Sequence, residues 1–184
     1  MHRVLSFDIG IKNLSFCLIE KGQGKTKIIE WANVCVLDDN QKANKIGMEP
    51  LVECVLLALS ERFGDAMHPV DVVVIENQPS LLNGLMKTVS VVVYTFFNML
   101  KLMHGNVSEV RFVSASSKLK CERAAAITPA PTTYKLRKNA SIAAARSYLD
   151  DVFVDHREWF EKQSKKDDLS DCLLQAMYWF ELRS

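Results

Sequence analysis

The sequence predicts an α/β fold, a mixed β-sheet flanked by helices. Two features carry that expectation. The N-terminal part holds three strand patterns joined by short connections, as in an antiparallel meander. The remainder alternates strand and helix patterns, which requires parallel neighbours. The run "VDVVVIE" sharpens the second point, because four consecutive apolar residues suit a strand covered on both faces.

Residues 3–9 read as the first strand, with Val4, Ser6 and Asp8 toward one face and Leu5, Phe7 and Ile9 toward the other. Leu14 to Glu20 gives a second strand, closed by the turn "KGQGK", and Lys27 to Leu37 gives a third. The polar segment "DDNQKANKIG" leads to a helix near Glu49 to Phe63, where Leu51, Val52, Val55, Leu56 and Leu59 repeat at helical spacing. After the valine strand a helix is expected over 82–104, then a strand at "EVRFVSA". Residues 115–136 read as a loop, punctuated by Pro129 and Pro131. Helices follow at about Lys138 to Leu149 and Asp168 to Leu182.

A chain of 184 residues suits one domain, 1–184, and no linker or internal repeat divides it. The net charge of +1 says little about partners. The five cysteines are scattered and form no CxxC pair, which argues against a disulfide framework or zinc site and for an intracellular, reducing compartment. The four histidines show no metal-binding spacing. The N-terminus enters a strand pattern at once, so no signal peptide is expected. Leu81 to Met103 is the most apolar stretch. Asn83, Lys87, Asn98 and Lys101 leave it an uncharged core shorter than the roughly 20 residues of a membrane span, so a buried helix and no membrane are expected.

Four acids stand out by position. Asp8 lies within the first strand after an apolar run and Glu76 ends the valine strand, while Asp168 and Asp171 share one face of the last helix at i and i+3. Each has an ordinary explanation as a turn former, a solvated strand end or a helix-capping acid. Taken together they weigh more. Unpartnered buried carboxylates are costly and repel one another, and a divalent cation with hard oxygen ligands removes both penalties.

The stretches "SFDIGIKNLSFCLIE", "VVVIENQ", "YKLRKNASI" and "KKDDLSDCLLQAM" follow the order and character of a known family. From Ser6 to about Met177 the chain resembles RuvC-like Holliday junction resolvases, above all the poxvirus and fungal mitochondrial types, which points to a viral or mitochondrial setting. The resemblance implies an RNase H-like fold: a mixed five-stranded sheet with helices on both faces. It implies that Asp8, Glu76, Asp168 and Asp171 are catalytic metal ligands, with Mg²⁺ (or Mn²⁺) as cofactor and no nucleotide cofactor. Asp167, beside the pair, is assigned a capping role. Lys135, Arg137 and Lys138 match the family's basic segment. Gln78 and Gly10 fall beside the site. The stretch Cys121 to Thr133 departs from the family pattern in length and in its alanine and proline content. "NQPSLLNG" also departs, with a proline after Glu76 expected to end or bend the strand.

The implied activity is the resolution of four-way DNA junctions by paired symmetric nicks, with metal-activated water attacking the phosphodiester. Lys118, Lys120, Lys135, Arg137 and Lys138 are expected to bind DNA phosphates. Lys12 reads either as a phosphate contact or as a lysine that is solvated or forms a salt bridge to Glu20 or Glu76. Two symmetric cuts call for a homodimer, and the helix over 82–104 is the expected interface, its apolar residues covering more than one face. Three alternatives stay open: an RNase H-like nuclease for another branched DNA or an RNA–DNA hybrid, a non-catalytic junction-binding relative, and an actin-like ATPase. The last needs two such domains, for which the chain is too short.

Overall fold

The computed structural model describes residues 1–38, 40, 43, 45–64, 67–78, 83–127 and 133–183. Its elements in chain order are β1 (His2–Asp8), β2 (Asn13–Gly22), β3 (Lys25–Cys35), α1 (Met48–Phe63), β4 (Val70–Asn77), α2 (Gly84–His104), β5 (Val107–Ser114), α3 (Glu122–Ile127), α4 (Tyr134–Asp151), α5 (Arg157–Glu161) and α6 (Lys166–Glu181). Short 3-10 turns occupy Ser117–Lys120 and Val154–His156. The prolines expected to shape the loops, Pro79, Pro129 and Pro131, lie outside the described residues, as do Leu81 and Leu82 at the expected start of the second helix.

The sheet has five strands in the order β3-β2-β1-β4-β5. β1, β2 and β3 form the antiparallel meander, while β4 pairs parallel with both β1 and β5. The valine strand is therefore central, and Val72 to Ile75 are shut off from solvent. Strand alternation divides β1 as expected. Leu5, Phe7 and Ile9 pack with α1 and α2, and Val4 packs with α4 and α6 on the other face.

α2 buries Val89, Val93, Phe97 and Leu100 against α1 and the sheet. By length and composition alone, with up to two charges allowed, this helix is apolar enough to cross a membrane, a test that the core helix of a globular protein also passes. α4 begins four residues before the expected Lys138, because the Thr133 side chain accepts the Leu136 N–H and caps it. Lys135, Arg137 and Lys138 thus stand on a helix. α4 meets α6 through small residues, including Ala140, Ser141, Ala144 and Ala145, which lets the two helices lie close.

Candidate active site

β1, β4 and β5 run parallel, so their carboxyl ends share one edge of the sheet, the usual place for a site in an α/β fold. Phe7 is paired with Ile75, and the next residues on the two strands are Asp8 and Glu76. The same alternation that buries Val4 turns Asp8 toward α6.

α6 brings the third part. Asp168, Asp171 and Gln175 follow at i, i+3 and i+7, so they form one stripe. Gln175 is buried and anchors that stripe. Its Nε2 donates to Ser6 Oγ (2.9 Å), to the Phe7 carbonyl (3.1 Å) and to the Val74 carbonyl (3.3 Å). One turn nearer the helix N-terminus, Asp171 therefore lies beside the ends of β1 and β4. Gln175 is not among the residues expected from sequence, although its place on the Asp168–Asp171 stripe is a usable signal.

Lys118 joins these acids. From sequence it is expected to face DNA, but the 3-10 turn after β5 directs it inward. Its Nζ donates to Glu76 Oε2 (2.9 Å) and to Asp171 Oδ2, and lies 3.9 Å from Asp8 Oδ1. Three of the four predicted acids thus converge on one ammonium. The physical reason is charge: three half-buried or buried carboxylates draw in the nearest cation that can reach them. Asp168 lines the same cleft without contacting Lys118 among the described contacts.

Burial pushes the Asp8 carboxyl well up. Lys118 opposes that, and Asp171 and Glu76 reinforce it. Burial also raises Asp171, again against the pull of Lys118. Asp168 is raised by burial and then by its neighbour Asp167. Burial works against the charge of Lys118, yet the carboxylates, Asp171 foremost, hold it above the ordinary lysine value. Gln78 is buried and donates to Glu76 Oε1 at 3.1 Å, so it orients that carboxylate.

Gly10 has a local reason. A Cβ there would come within 2.5 Å of the Asn13 carbonyl oxygen, so only glycine lets the chain turn this tightly between β1 and β2. Lys12 stands on the same turn, exposed and outside the cleft lining. Its carbonyl accepts the Val36 N–H at 2.9 Å.

Above the acids opens a cleft of about 1140 Å³. Lys120, Arg137 and Lys138 line it, whereas Lys135 is exposed and lies outside the lining. Asp167, expected only to cap its helix, accepts a hydrogen bond from Lys138 Nζ. Burial would raise Asp167, but the Lys138 ammonium outweighs it and holds the carboxyl below its ordinary value. The cleft is thus acidic at its floor and basic along its wall.

Among the described residues no three His, Cys, Asp or Glu side chains already stand as a metal cage. The donor set nevertheless fits a hard divalent cation. All the donors are carboxylate oxygens, a cationic group already sits among them, and Asp171 Oδ1 is buried with no hydrogen-bond partner.

Comparison with known proteins places the chain. The model of the poxvirus A22 protein family matches residues 2–183. The chain belongs to that family. A relative, the uncharacterized protein L451 of Acanthamoeba polyphaga mimivirus, is 32% identical over 135 residues, which is 67% of this chain. The match spans about a third (31%) of that relative's length. Solved structures share the fold. Fowlpox virus resolvase, in complex with its Holliday junction substrate, matches with a TM-score of 0.64 and 18% identity over 98% of both chains. The yeast mitochondrial Holliday junction resolvase Ydc2 matches with a TM-score of 0.63 and 20% identity, covering 97% of this chain and 78% of its own. Both types named by the sequence resemblance are represented, and the RNase H-like architecture stands.

Proposed function

We propose that this A22 family member is a divalent-metal-dependent endonuclease that cuts four-way DNA junctions. The observation that carries the reading is the convergence of Asp8, Glu76 and Asp171 at the floor of a cleft with a basic wall. A structural ion cluster balances its charges, whereas this one leaves acids in excess. The fowlpox and yeast neighbours are both Holliday junction resolvases, which supports the choice of substrate.

Asp8, Glu76, Asp168 and Asp171 would hold Mg²⁺ or Mn²⁺. The bound cation supplies an activated water and charge neutralisation at the scissile phosphodiester. The chain's own residues do the rest. Gln78 fixes the Glu76 carboxylate. Gln175 locks α6 to β1 and β4, so Asp171 keeps its place. Lys118 balances part of the acidic charge. Lys120, Arg137 and Lys138 neutralise the DNA backbone, a sequence-independent contribution.

Symmetric cuts call for two copies. α2 is the proposed interface, because its outer side leaves Val91, Met99, Leu102 and Met103 exposed, the last two at 83% and 68%. The reading also carries a viral or mitochondrial setting, as in the relatives named above.

The test is incubation with a labelled four-way junction and Mg²⁺. Paired symmetric nicks are expected, lost with chelator and reduced at least about 10²-fold in Asp8→Asn. Junction binding without any cleavage would make this a non-catalytic binding relative. Cleavage of RNA–DNA hybrid alone would overturn the junction assignment. A monomer of 20.8 kDa in sedimentation at micromolar concentration would remove the dimer.

A further inference from the structure

Tyr134 is the largest apolar side chain left open at the cleft. It is 73% exposed, yet it lines the same space as the carboxylates. Its position is not left to chance. Tyr134 and Lys138 are at i and i+4 on the first turns of α4, so they share a face. The Lys138 ammonium lies over the ring, 4.9 Å from its centre. The same ammonium donates to Asp167 on α6, next in sequence to Asp168 and one turn from Asp171. The cap by Thr133 pins the helix start directly before the ring.

An exposed aromatic ring held this way gains little stability, because little of it is removed from water and an exposed cation–π contact is weak. It has a reason of recognition. A flat face at the mouth of a basic cleft stacks a nucleobase, and every base offers a π-face. Backbone phosphates have Lys120 and Arg137 in the same cleft.

We propose that Tyr134, tied through Lys138 and Asp167 to the acidic helix, is a stacking platform for an unpaired nucleobase beside the phosphate to be cut. The proposal rests on the nuclease reading and adds a base subsite to it. Branched DNA supplies such a base where stacking is broken at the crossover. The ring's link to α6 then sets the distance between the stacked base and the carboxylates. It also accounts for the pairing of Asp167, which the metal site does not use.

The experiment measures affinity for a four-way junction in chelator, where cleavage is off, across a salt series. 2-Aminopurine placed at the branch reports stacking. Tyr134→Ala is expected to weaken binding roughly ten-fold and to abolish the 2-aminopurine change, with the salt dependence unaltered. Tyr134→Phe and Tyr134→Trp are expected to stay within about two-fold of the wild type. An exposed position leaves folding intact, which a thermal melt verifies. Wild-type affinity and an unchanged fluorescence response in Tyr134→Ala would overturn the platform. So would a loss in Tyr134→Phe as large as in Tyr134→Ala, since the hydroxyl would then carry the effect. A salt slope falling by about one in Tyr134→Ala, as expected for Lys138→Ala, would also overturn it, because the ring would then only position a phosphate contact. The two readings fail separately. Absence of junction cleavage by the wild-type chain with metal rejects the nuclease, whereas cleavage with the Tyr134→Ala outcomes above rejects only the platform. A wild-type chain that binds neither junction nor single-stranded DNA overturns both.

Discussion

The two ends of β1 handle buried acid in opposite ways. Near its start, Glu20 on the paired strand β2 is buried and accepts from both Arg3 (2.7 Å) and Lys27 (2.8 Å). One carboxylate there has two cations. At its end, Asp8, Glu76 and Asp171 share Lys118 as their one cation among the described residues. The titration behaviour follows. Glu20 is held below the ordinary carboxylate range by its bonds to Lys27 and Arg3, while burial pushes Asp8 above it. The same strand therefore carries a satisfied ion cluster at one end and an unsatisfied one at the other. Unsatisfied acids with shifted titration are a feature of functional sites.

The strongest way to break this contrast is to remove the shared cation. Lys118→Met leaves three carboxylates facing one another and is expected to cost about 3–5 kcal/mol of stability in chelator. Urea denaturation measures that loss, and Mg²⁺ should restore more stability to the variant than to the wild type. No stabilisation of either protein by Mg²⁺ would mean that the acids do not hold metal. Next in size, Gln175→Leu removes the tie between α6 and the two strands and should cost about 1–3 kcal/mol. Cleavage should fall with it, because Asp171 loses its place.

At the other end of β1 the expected result is one of pH. The Glu20 carboxyl has a lowered value when folded, so its contribution is present above the unfolded value and is lost as pH falls through the folded one. Glu20→Gln should lower the urea midpoint at pH 7, and its gap to the wild type should narrow as the solution is acidified through that folded value. An unchanged gap across that range would show that the cluster is not what stabilises this end. The smallest effect concerns the cleft wall. Lys120→Ala with Arg137→Ala should leave stability alone and reduce the salt slope of junction binding by about two.

Much of the fold is legible in the sequence because strand and helix periods are local. Alternation in residues 3–9 names the face of Asp8, and the unbroken apolar run of 72–75 names the central strand. The start of α4 is not legible in the same way. Pro129, Pro131 and the basic residues suggest a loop, whereas the Thr133 cap and the tertiary packing of an alanine face favour helix. Lys118 escapes for a different reason. A lysine in a basic stretch reads as solvated, and nothing local tells that the turn after β5 aims it at acids 42 and 53 residues away.

By itself the sequence singled out four acids by position: Asp8 and Glu76 after apolar strand runs, and Asp168 and Asp171 on one helical face. That selection depends on backbone period and on the cost of burying charge, whereas their expected role as metal ligands comes from the family resemblance. The tertiary structure alone decided which of them meet. Parallel pairing of β1 with β4 put Asp8 beside Glu76, and the bonds of Gln175 seated Asp171 against both. It also decided that Lys118 faces the acids and that Tyr134 stands over the cleft, held by Lys138. Those placements come from contacts between segments distant in sequence, where the balance of charge and burial is settled only once the chain has closed on itself.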